Sequence, residues 1–300
     1  MDLWQLQVFC KVIELKSFSK AGRAVHLSQP TVSSHIKDLE AQFNTRLIDR
    51  MSREALPTKS GELLYQYGKR LINLRSEAEA AMAEFQGQIK GELIVGASTI
   101  PGSYVLPRVI AGFTNDYPDV NMSLIIGDTQ EIVDDILTST IEVGVVGALS
   151  EDKNIRQAPL LEDELCLIVP KGHRWADRKS ISVSALLNEP FVVREYGSGT
   201  LKSFEIGLKG NGFKLADLNI AATMGSNEAI RQAVKHGAGF AVVSRQAVVD
   251  DLASGALHAM AIGDLNLNRF FYLTTHANRS ASPIGRTFVR FLKATLLKIG

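Results

Sequence analysis

A cluster of short polar side chains near the N-terminus has the chemistry of a nucleic-acid contact. Its members lie close together in the chain and are Gln29, Thr31, Ser33, Ser34, His35 and Lys37. Amide, hydroxyl, imidazole and amine groups form hydrogen bonds with phosphates and with the edges of bases. Residues 15–37 also contain four basic residues and no acidic residue. Because a duplex is densely anionic, this asymmetry favours an approach to DNA.

Two short helices with a tight turn between them are predicted to position this cluster. One apolar face of the first helix consists of Phe18, Ala21, Ala24 and Val25. Ser28 stands where the N-cap of the second helix is expected, and Pro30 falls in its first turn. The second helix has an apolar stripe made of Val32, Ile36, Leu39 and Phe43. Periodicity alone leaves an ordinary polar face on a helical hairpin as the alternative.

The residue string resembles the winged helix-turn-helix of the LysR-type transcriptional regulators. The matching residues are Phe18, Ala21, Ser28, Gln29, Pro30, Val32, Ser33, Ile36, Leu39, Glu40, Leu47, Arg50 and the segment 58–61. The departures from the family pattern are Gly22, Val25, Asn44 and Pro57, and none of them removes a group that would touch DNA. Asn44 is expected to take the left-handed turn that Gly takes in the family.

The second helix is therefore expected to be the recognition helix. We predict contacts to bases or close to them from Gln29, Thr31, Ser33 and Ser34. Contacts to the DNA backbone are expected from Ser28, His35, Lys37, Arg50 and Arg53, and Pro30 completes the candidate set. Residues 46–57 are predicted to form a short wing, whose arginines could also be ordinary solvated loop charges.

Residues 58–88 are predicted to form one long helix, with Thr58 as its N-cap. An unbroken heptad seam runs along it and consists of Leu64, Tyr67, Leu71, Leu74, Ala78, Ala81 and Phe85. Such a seam needs a partner helix, which could come from the same chain or from a second copy. The resemblance implies that this helix dimerises, so we predict a dimerisation helix.

Strands and helices alternate from residue 91 onward, which is typical of an α/β domain with a largely parallel sheet. Two series of similar size suggest two lobes with a ligand between them. The predicted fold class is α+α/β, with three parts. These are a winged helix-turn-helix at 1–57, a linker helix at 58–90, and a bilobed effector domain at 91–300. The resemblance implies a periplasmic-binding-protein-like fold, with lobe I at about 91–161 and 269–300 and lobe II at about 162–268.

Small polar residues follow several predicted strands, where ligands collect in α/β lobes. The candidate effector-binding residues are Ser98, Thr99, Thr129, Arg194, Ser198, Thr200 and Asn227. Hydroxyls and free N–H groups at helix starts suit an anion, although plain helix capping is the simpler explanation of any single junction other than the one at Ser98 and Thr99. The run GASTIPGSYVLP (residues 96–107) resembles the branch of the family that regulates sulfur assimilation, selenium metabolism and carbon fixation. A small oxyanion or carboxylate is therefore expected, and Glu195 argues against a highly charged one unless it faces away or is paired.

Composition sets the remaining limits. Residues 1–90 carry 13 Lys and Arg against 10 Asp and Glu, so the basic excess lies in the part predicted to bind DNA. Cys10 and Cys166 lie within apolar runs and are expected to be buried thiols rather than a disulfide or a redox switch. The N-terminus does not look like a secretory signal, and no apolar run approaches the roughly 20 residues that span a bilayer. A cytoplasmic protein is expected.

The sequence does not favour an enzyme. It has no GxSxG, HExxH or GxxxxGK[ST] motif, and its six histidines show no metal-ligand spacing. A stand-alone solute binder or a DNA-architectural protein fits less well, because the chain combines a basic helix-turn-helix with two α/β lobes. We predict no cofactor and no metal. The expected partners are double-stranded DNA, a small-molecule effector, further copies in a homodimer or homotetramer, and RNA polymerase, with no membrane.

Overall fold

Three helices and a two-stranded wing form the N-terminal head in this computed structural model, which describes residues 1–49, 54–85 and 88–297. The elements are α1 (Leu3–Leu15), α2 (Phe18–Ala24), α3 (Gln29–Phe43), β1 (Ile48–Asp49) and β2 (Leu56–Pro57). Ser28 caps α3 as predicted, because its Oγ accepts a hydrogen bond from the N–H of Thr31 at 3.3 Å. Asn44 ends α3 in the left-handed region, at φ 47°, also as predicted.

The apolar faces of the head are shorter than the sequence predicted. Val32, Ile36 and Leu39 are fully buried, but Phe43 is 43% exposed. Ala24 is exposed as well. Both residues are the last in their helices, so the helical spacing of apolar residues continues to positions that no longer face the core.

A single long helix, α4 (Lys59–Phe85), follows the head. Thr58 caps it as predicted, since its Oγ accepts a hydrogen bond from the N–H of Gly61 at 3.1 Å. Gly61 allows the helix to approach the wing, because a Cβ there would lie 2.0 Å from the carbonyl oxygen of Leu47. With 27 residues, α4 is about 40 Å long. Neither α4 nor any other described helix combines the length and the apolar character needed to cross a membrane.

Lobe I is built on three parallel strands, β3 (Gly91–Ser98), β4 (Val120–Gly127) and β5 (Val143–Val146). A π-helical turn, Pro101–Val105, leads from β3 into α5 (Leu106–Asp116). The other two helices of the lobe are α6 (Thr129–Leu137) and α10 (Pro283–Leu296). α5 and α10 share one core cluster, in which Phe113, Phe288 and Leu292 are fully buried, and α6 packs in a second cluster through Ile132 and Ile136.

Two long strands connect the lobes and make the sheet mixed. β6 (Ile155–Pro170) pairs with β12 (Asn268–His276) through its first part and with strands of lobe II through the remainder. All of these pairings are antiparallel, as is the pairing of β12 with β5. The prediction of a largely parallel sheet is therefore wrong. The reason is that β6 carries the chain out of lobe I and β12 brings it back in the opposite direction.

Lobe II contains the remaining elements. Its strands are β7 (Ser180–Ile181), β8 (Pro190–Arg194), β9 (Asn219–Met224), β10 (Ala241–Ser244) and β11 (Leu257–Ile262). Its helices are α7 (Gly199–Gly210), α8 (Asn227–Lys235) and α9 (Val249–Ala253), with 3-10 turns at Val183–Ala185, Leu215–Asp217 and Arg245–Val248. α7 begins a few residues after the end of β8, at the edge of lobe II that faces lobe I. The N-terminus of α7 therefore faces lobe I.

Candidate functional site

The polar face of α3 is open. Ser28, Gln29, Pro30, Thr31, Ser34 and Lys37 are exposed, and Ser33 and His35 are half-buried. Nδ1 of His35 is buried and has no hydrogen-bond partner within the described ranges. Lys20, Arg23 and Lys37 form no ion pair with any described residue, so their charges remain available to an anionic partner. Two further candidates, Arg50 and Arg53 at the tip of the wing, lie outside the described residues.

The predicted heptad seam on α4 is largely uncovered in the single chain. Leu64 is half-buried and packs against the core of the head. The rest of the seam, namely Tyr67, Leu71, Leu74, Ala78, Ala81 and Phe85, is exposed. Leu74 is 59% and Phe85 88% exposed. An apolar row of this length on one helix is typical of a surface that another helix covers.

A cavity of about 190 Å³ lies between the two lobes. Lobe I lines it with Ser98, Thr99, Ile100, Asp128, Thr129 and Gly147, lobe II with residues 194–200, and β12 with Arg269 and Phe271. Six of the seven predicted effector residues therefore meet at one place. Asn227 is not in the lining and lies behind Arg194. The volume suits a ligand with few non-hydrogen atoms, because drug-sized molecules need about 300 Å³ or more.

Helix capping does not explain the hydroxyls of this cavity. Asp128 caps α6, accepting a hydrogen bond from the N–H of Glu131 at 2.8 Å, so the Thr129 hydroxyl is not the cap. Ser198 occupies the N-cap position of α7 but makes no capping hydrogen bond. Ser98 and Thr99 likewise form no side-chain hydrogen bond with a described residue. In contrast, Ser226 does cap α8.

Arg194 is held by two neighbours at the end of β8. Its Nε and Nη2 donate to the two carboxylate oxygens of Glu195, at 2.7 and 2.6 Å. Its Nη1 donates to Oδ1 of Asn227 at 2.8 Å. The hydrogen bonds from Arg194 hold the pKa of Glu195 below its ordinary value, although partial burial opposes this shift. The side chain of Arg194 is only 5% exposed, so its partners fix its orientation.

Sequence reasoning missed a second arginine in the cavity wall. Nε of Arg269 donates to Oδ2 of Asp163 at 2.8 Å, and its Nη2 lies 3.4 Å from the Thr200 hydroxyl. Ser244 donates its hydroxyl to the other carboxylate oxygen of Asp163. Burial raises the pKa of Asp163, while the neighbouring Arg269 opposes the increase. The available signals were the three consecutive acidic residues 162–164 within β6 and Arg269 just before the apolar residues of β12, where these strands pass between the lobes.

A larger cleft, of about 720 Å³, separates α4 from lobe I. Its wall includes Glu142, whose carboxylate accepts hydrogen bonds from both the N–H and the hydroxyl of Ser282, the N-cap of α10. Burial raises the pKa of Glu142, while these two hydrogen bonds oppose the increase. The helix start in this wall, that of α10, already faces the carboxylate of Glu142, so the smaller interlobe cavity is the better candidate ligand site.

Both cysteines are buried, as predicted, and neither is in a disulfide. Burial raises the pKa of Cys10 to about 12 and that of Cys166 to about 12. The thiolate is the reactive form of cysteine, and it is scarce at neutral pH when the pKa is this high. These thiols are therefore packing groups.

The head and the bilobed domain together define a DNA-binding regulator with a ligand-binding domain, and sequence comparison gives its family. Residues 3–62 match the family model for bacterial regulatory helix-turn-helix proteins of the lysR family, and residues 86–297 match the LysR substrate binding domain. The chain belongs to the LysR family of transcriptional regulators. The family consists of regulators rather than enzymes, which confirms the prediction of a non-enzymatic protein.

Individual relatives agree with this assignment. The chain is 34% identical over 264 residues to the HTH-type transcriptional regulator CysL of Bacillus subtilis, covering 88% of this chain and 87% of CysL. It is 33% identical to a probable RuBisCO transcriptional regulator of Cyanophora paradoxa, over 96% of this chain and 90% of that one. The regulatory domain of Synechocystis PCC6803 CcmR, solved in complex with 2-PG, matches with a TM-score of 0.63 and 27% identity. This match covers 68% of this chain and 97% of that one. The relatives fit the sulfur and carbon-fixation branch that the 96–107 run resembles.

Proposed function

We propose that this regulator binds a small anion in the interlobe cavity and that the anion changes how the protein engages DNA. The main support is a group of hydroxyls that line one cavity of about 190 Å³ and make no capping hydrogen bond. They belong to Ser98, Thr99, Thr129 and Ser198. α6 and α7 both begin at the cavity wall, and the positive ends of helix dipoles favour an anion. The 2-PG complex of the CcmR domain supports a small ligand for a domain of this kind.

The roles of the other candidate residues follow from their surroundings. Thr200 contributes a further hydroxyl beside Arg269, and Asn227 acts from behind the wall by orienting Arg194. In the head, Gln29, Thr31, Ser33 and Ser34 are proposed to contact bases, with Pro30 starting the helix that carries them. Backbone contacts are proposed for Ser28, His35, Lys37, Arg50 and Arg53.

Assembly would place two heads on one site. We propose that the exposed seam of α4 pairs two chains, so that two copies of α3 enter successive major grooves of an interrupted palindrome. Pairing of the effector domains would then give a tetramer. Closure of the two lobes on the anion would change how the subunits pack and how far the DNA is bent. It would do so by shifting an equilibrium between two pre-existing conformations of the protein. RNA polymerase is the proposed further partner, and work at the chromosome implies a cytoplasmic location.

The function is tested by DNA bending in the presence of anions. A duplex site is first selected from random DNA with the wild-type protein, and its bend is then measured from the gel mobility of permuted fragments. Sulfate, sulfite, selenite, thiosulfate, phosphate and common carboxylates are each added in turn. At least one anion should change the bend or the footprint in the wild type but not in the Ser98→Ala, Thr99→Ala variant.

The matched control replaces one Thr and one Ser of lobe I that do not line the cavity, as Thr114→Ala with Ser123→Ala. This control should respond to the anion like the wild type. The proposed function is rejected when no anion alters the wild-type complex. It is also rejected when the Ser98→Ala, Thr99→Ala variant responds as fully as the wild type.

A further inference from the structure

Every nitrogen of the Arg194 side chain already has a partner. Nε and Nη2 face Glu195 in a bidentate ion pair, and Nη1 faces Asn227. Bidentate pairs of this kind are strong and directional. An anion in the cavity must therefore either displace Glu195 to form its own bidentate pair with Arg194, or bind beside the intact pair.

Arg269, the second cation of the cavity wall, is also paired with a carboxylate. Its Nε bonds to Asp163, whose side chain is fully buried. Asp128 adds one more carboxylate to the lining. Two arginines thus face at least as many carboxylates in and behind the wall. Such a wall offers an anion the dipoles of helix starts and hydroxyl donors, but no uncompensated positive charge for a doubly charged ligand.

Glu195 gives the cavity a hydrogen-bond acceptor. Its side chain is 40% exposed and lies in the cavity lining, so it is accessible to a ligand. A carboxylate has about four lone-pair positions, and Arg194 occupies two of those on Glu195. An ionised carboxylate only accepts hydrogen bonds. It repels the bare oxygen of a fully ionised anion and binds the O–H of a protonated or hydroxyl-bearing one.

We propose that Glu195 is a specificity-determining residue that restricts the site to singly charged anions carrying an O–H group. In this arrangement the hydroxyls of Ser98, Thr99 and Ser198 donate to the ionised oxygens of the ligand. Glu195 accepts the ligand's own O–H while it remains paired with Arg194. This inference rests on the proposed function of the interlobe cavity and adds the class of ligand that the cavity admits.

The test compares tetrahedral anions of similar size that differ in protonation. Dissociation constants of the full chain are measured by calorimetry for phosphate and sulfate in mildly acidic buffer, where phosphate is mostly singly charged and keeps O–H groups. Dihydrogen arsenate and selenate form a second pair. The dissociation constant of the wild type should be at least about tenfold lower for the protonated member of each pair. The Glu195 carboxylate stays without a donor when it faces a ligand that has no O–H group, and this weakens binding.

Glu195→Gln removes the negative charge and replaces one of the two acceptor oxygens by an amide donor, so it should weaken or reverse this preference by improving the binding of sulfate and selenate. Glu195→Ala, which leaves Arg194 without its counter-charge, should do the same, and it serves as a second variant if the first is unstable. Glu205→Gln removes one carboxylate from an exposed position of α7 outside the cavity and should keep the wild-type preference.

The outcomes separate the two proposals. Binding of both members of a pair with equal affinity to the wild type, or an unchanged preference in both Glu195 variants, overturns the role of Glu195. The anion site survives that result. Absence of binding by all four anions argues against the anion site itself and removes the basis for the role of Glu195.

Discussion

At the scale of residues, the cavity depends on two charge pairs that differ in burial. Glu195 is partly exposed and accessible to a ligand, whereas the side chain of Asp163, on the crossing strand β6, is fully buried. The first pair is therefore suited to selecting a ligand, and the second to holding Arg269 and Thr200 in place. Replacing either acid removes one negative charge from the same region, but the consequences should differ.

Asp163→Asn should lower the free energy of unfolding by about 3 kcal/mol. The Arg269 side chain is 9% exposed and would lose its counter-charge, and breaking a buried pair from one side costs about this much. Urea denaturation measures the loss. The neighbouring, half-exposed Glu164 is the control, and Glu164→Gln should stay within about 0.5 kcal/mol of the wild type. Equal effects of the two substitutions would show that the buried pair has no special structural role.

At the scale of elements, α4 carries two different faces. Leu64 packs against its own head, while the following seam residues have no cover in the single chain. Leu71→Asp with Leu74→Asp should abolish pairing and weaken binding to a two-half-site duplex by about a hundredfold, because two heads would no longer bind as one unit. Sedimentation and a DNA titration measure the two effects.

The matched control for the seam adds the same two charges elsewhere on α4. Gln66→Asp with Ser76→Asp changes exposed residues off the seam and should leave pairing and DNA affinity close to those of the wild type. Undiminished affinity in the Leu71, Leu74 variant would exclude the seam as the dimer interface.

The start of α10 should make stability depend on pH. The folded-state pKa of Glu142 is raised above its ordinary value of 4.5, so its protonated form is favoured in the folded protein. The stability that this proton provides is present below pH 4.5 and is lost as the pH rises through the raised pKa. The wild type should therefore lose stability relative to Glu142→Gln across that window. Parallel stability curves for the two proteins, measured by urea denaturation at several pH values, would contradict this.

Local sequence patterns predicted most of the helices and strands. They did not predict that β6 and β12 pass from one lobe to the other. The caps at Ser28 and Thr58 and the left-handed Asn44 follow from side-chain chemistry within one turn, which a sequence exposes directly. β6 continues without a turn from one lobe into the other, so nothing in its residues marks the boundary. Arg269 was missed for a related reason, because its partner Asp163 is 106 residues away along the chain.

At the scale of the whole molecule, a head that binds DNA is joined to an effector domain that contains the proposed anion site. α4 lies between the two and packs on lobe I against β3 and α10. One route for a signal from the cavity is the movement of one lobe against the other, or of lobe I against α4. Such movement would change the distances between the charge pairs in the cavity wall and the position of the exposed seam of α4.

The central claim is tested most directly by thermal unfolding of the full chain against a panel of small anions. The panel contains sulfate, sulfite, selenite, thiosulfate, phosphate and common carboxylates. A ligand that binds only the folded protein stabilises it by about 2.7 kcal/mol at a hundredfold excess over its dissociation constant. We predict a clear rise in the melting temperature with at least one O–H-bearing anion, and its loss in the Ser98→Ala, Thr99→Ala variant. No rise with any anion, or an equal rise in that variant, would contradict an anion site between the lobes.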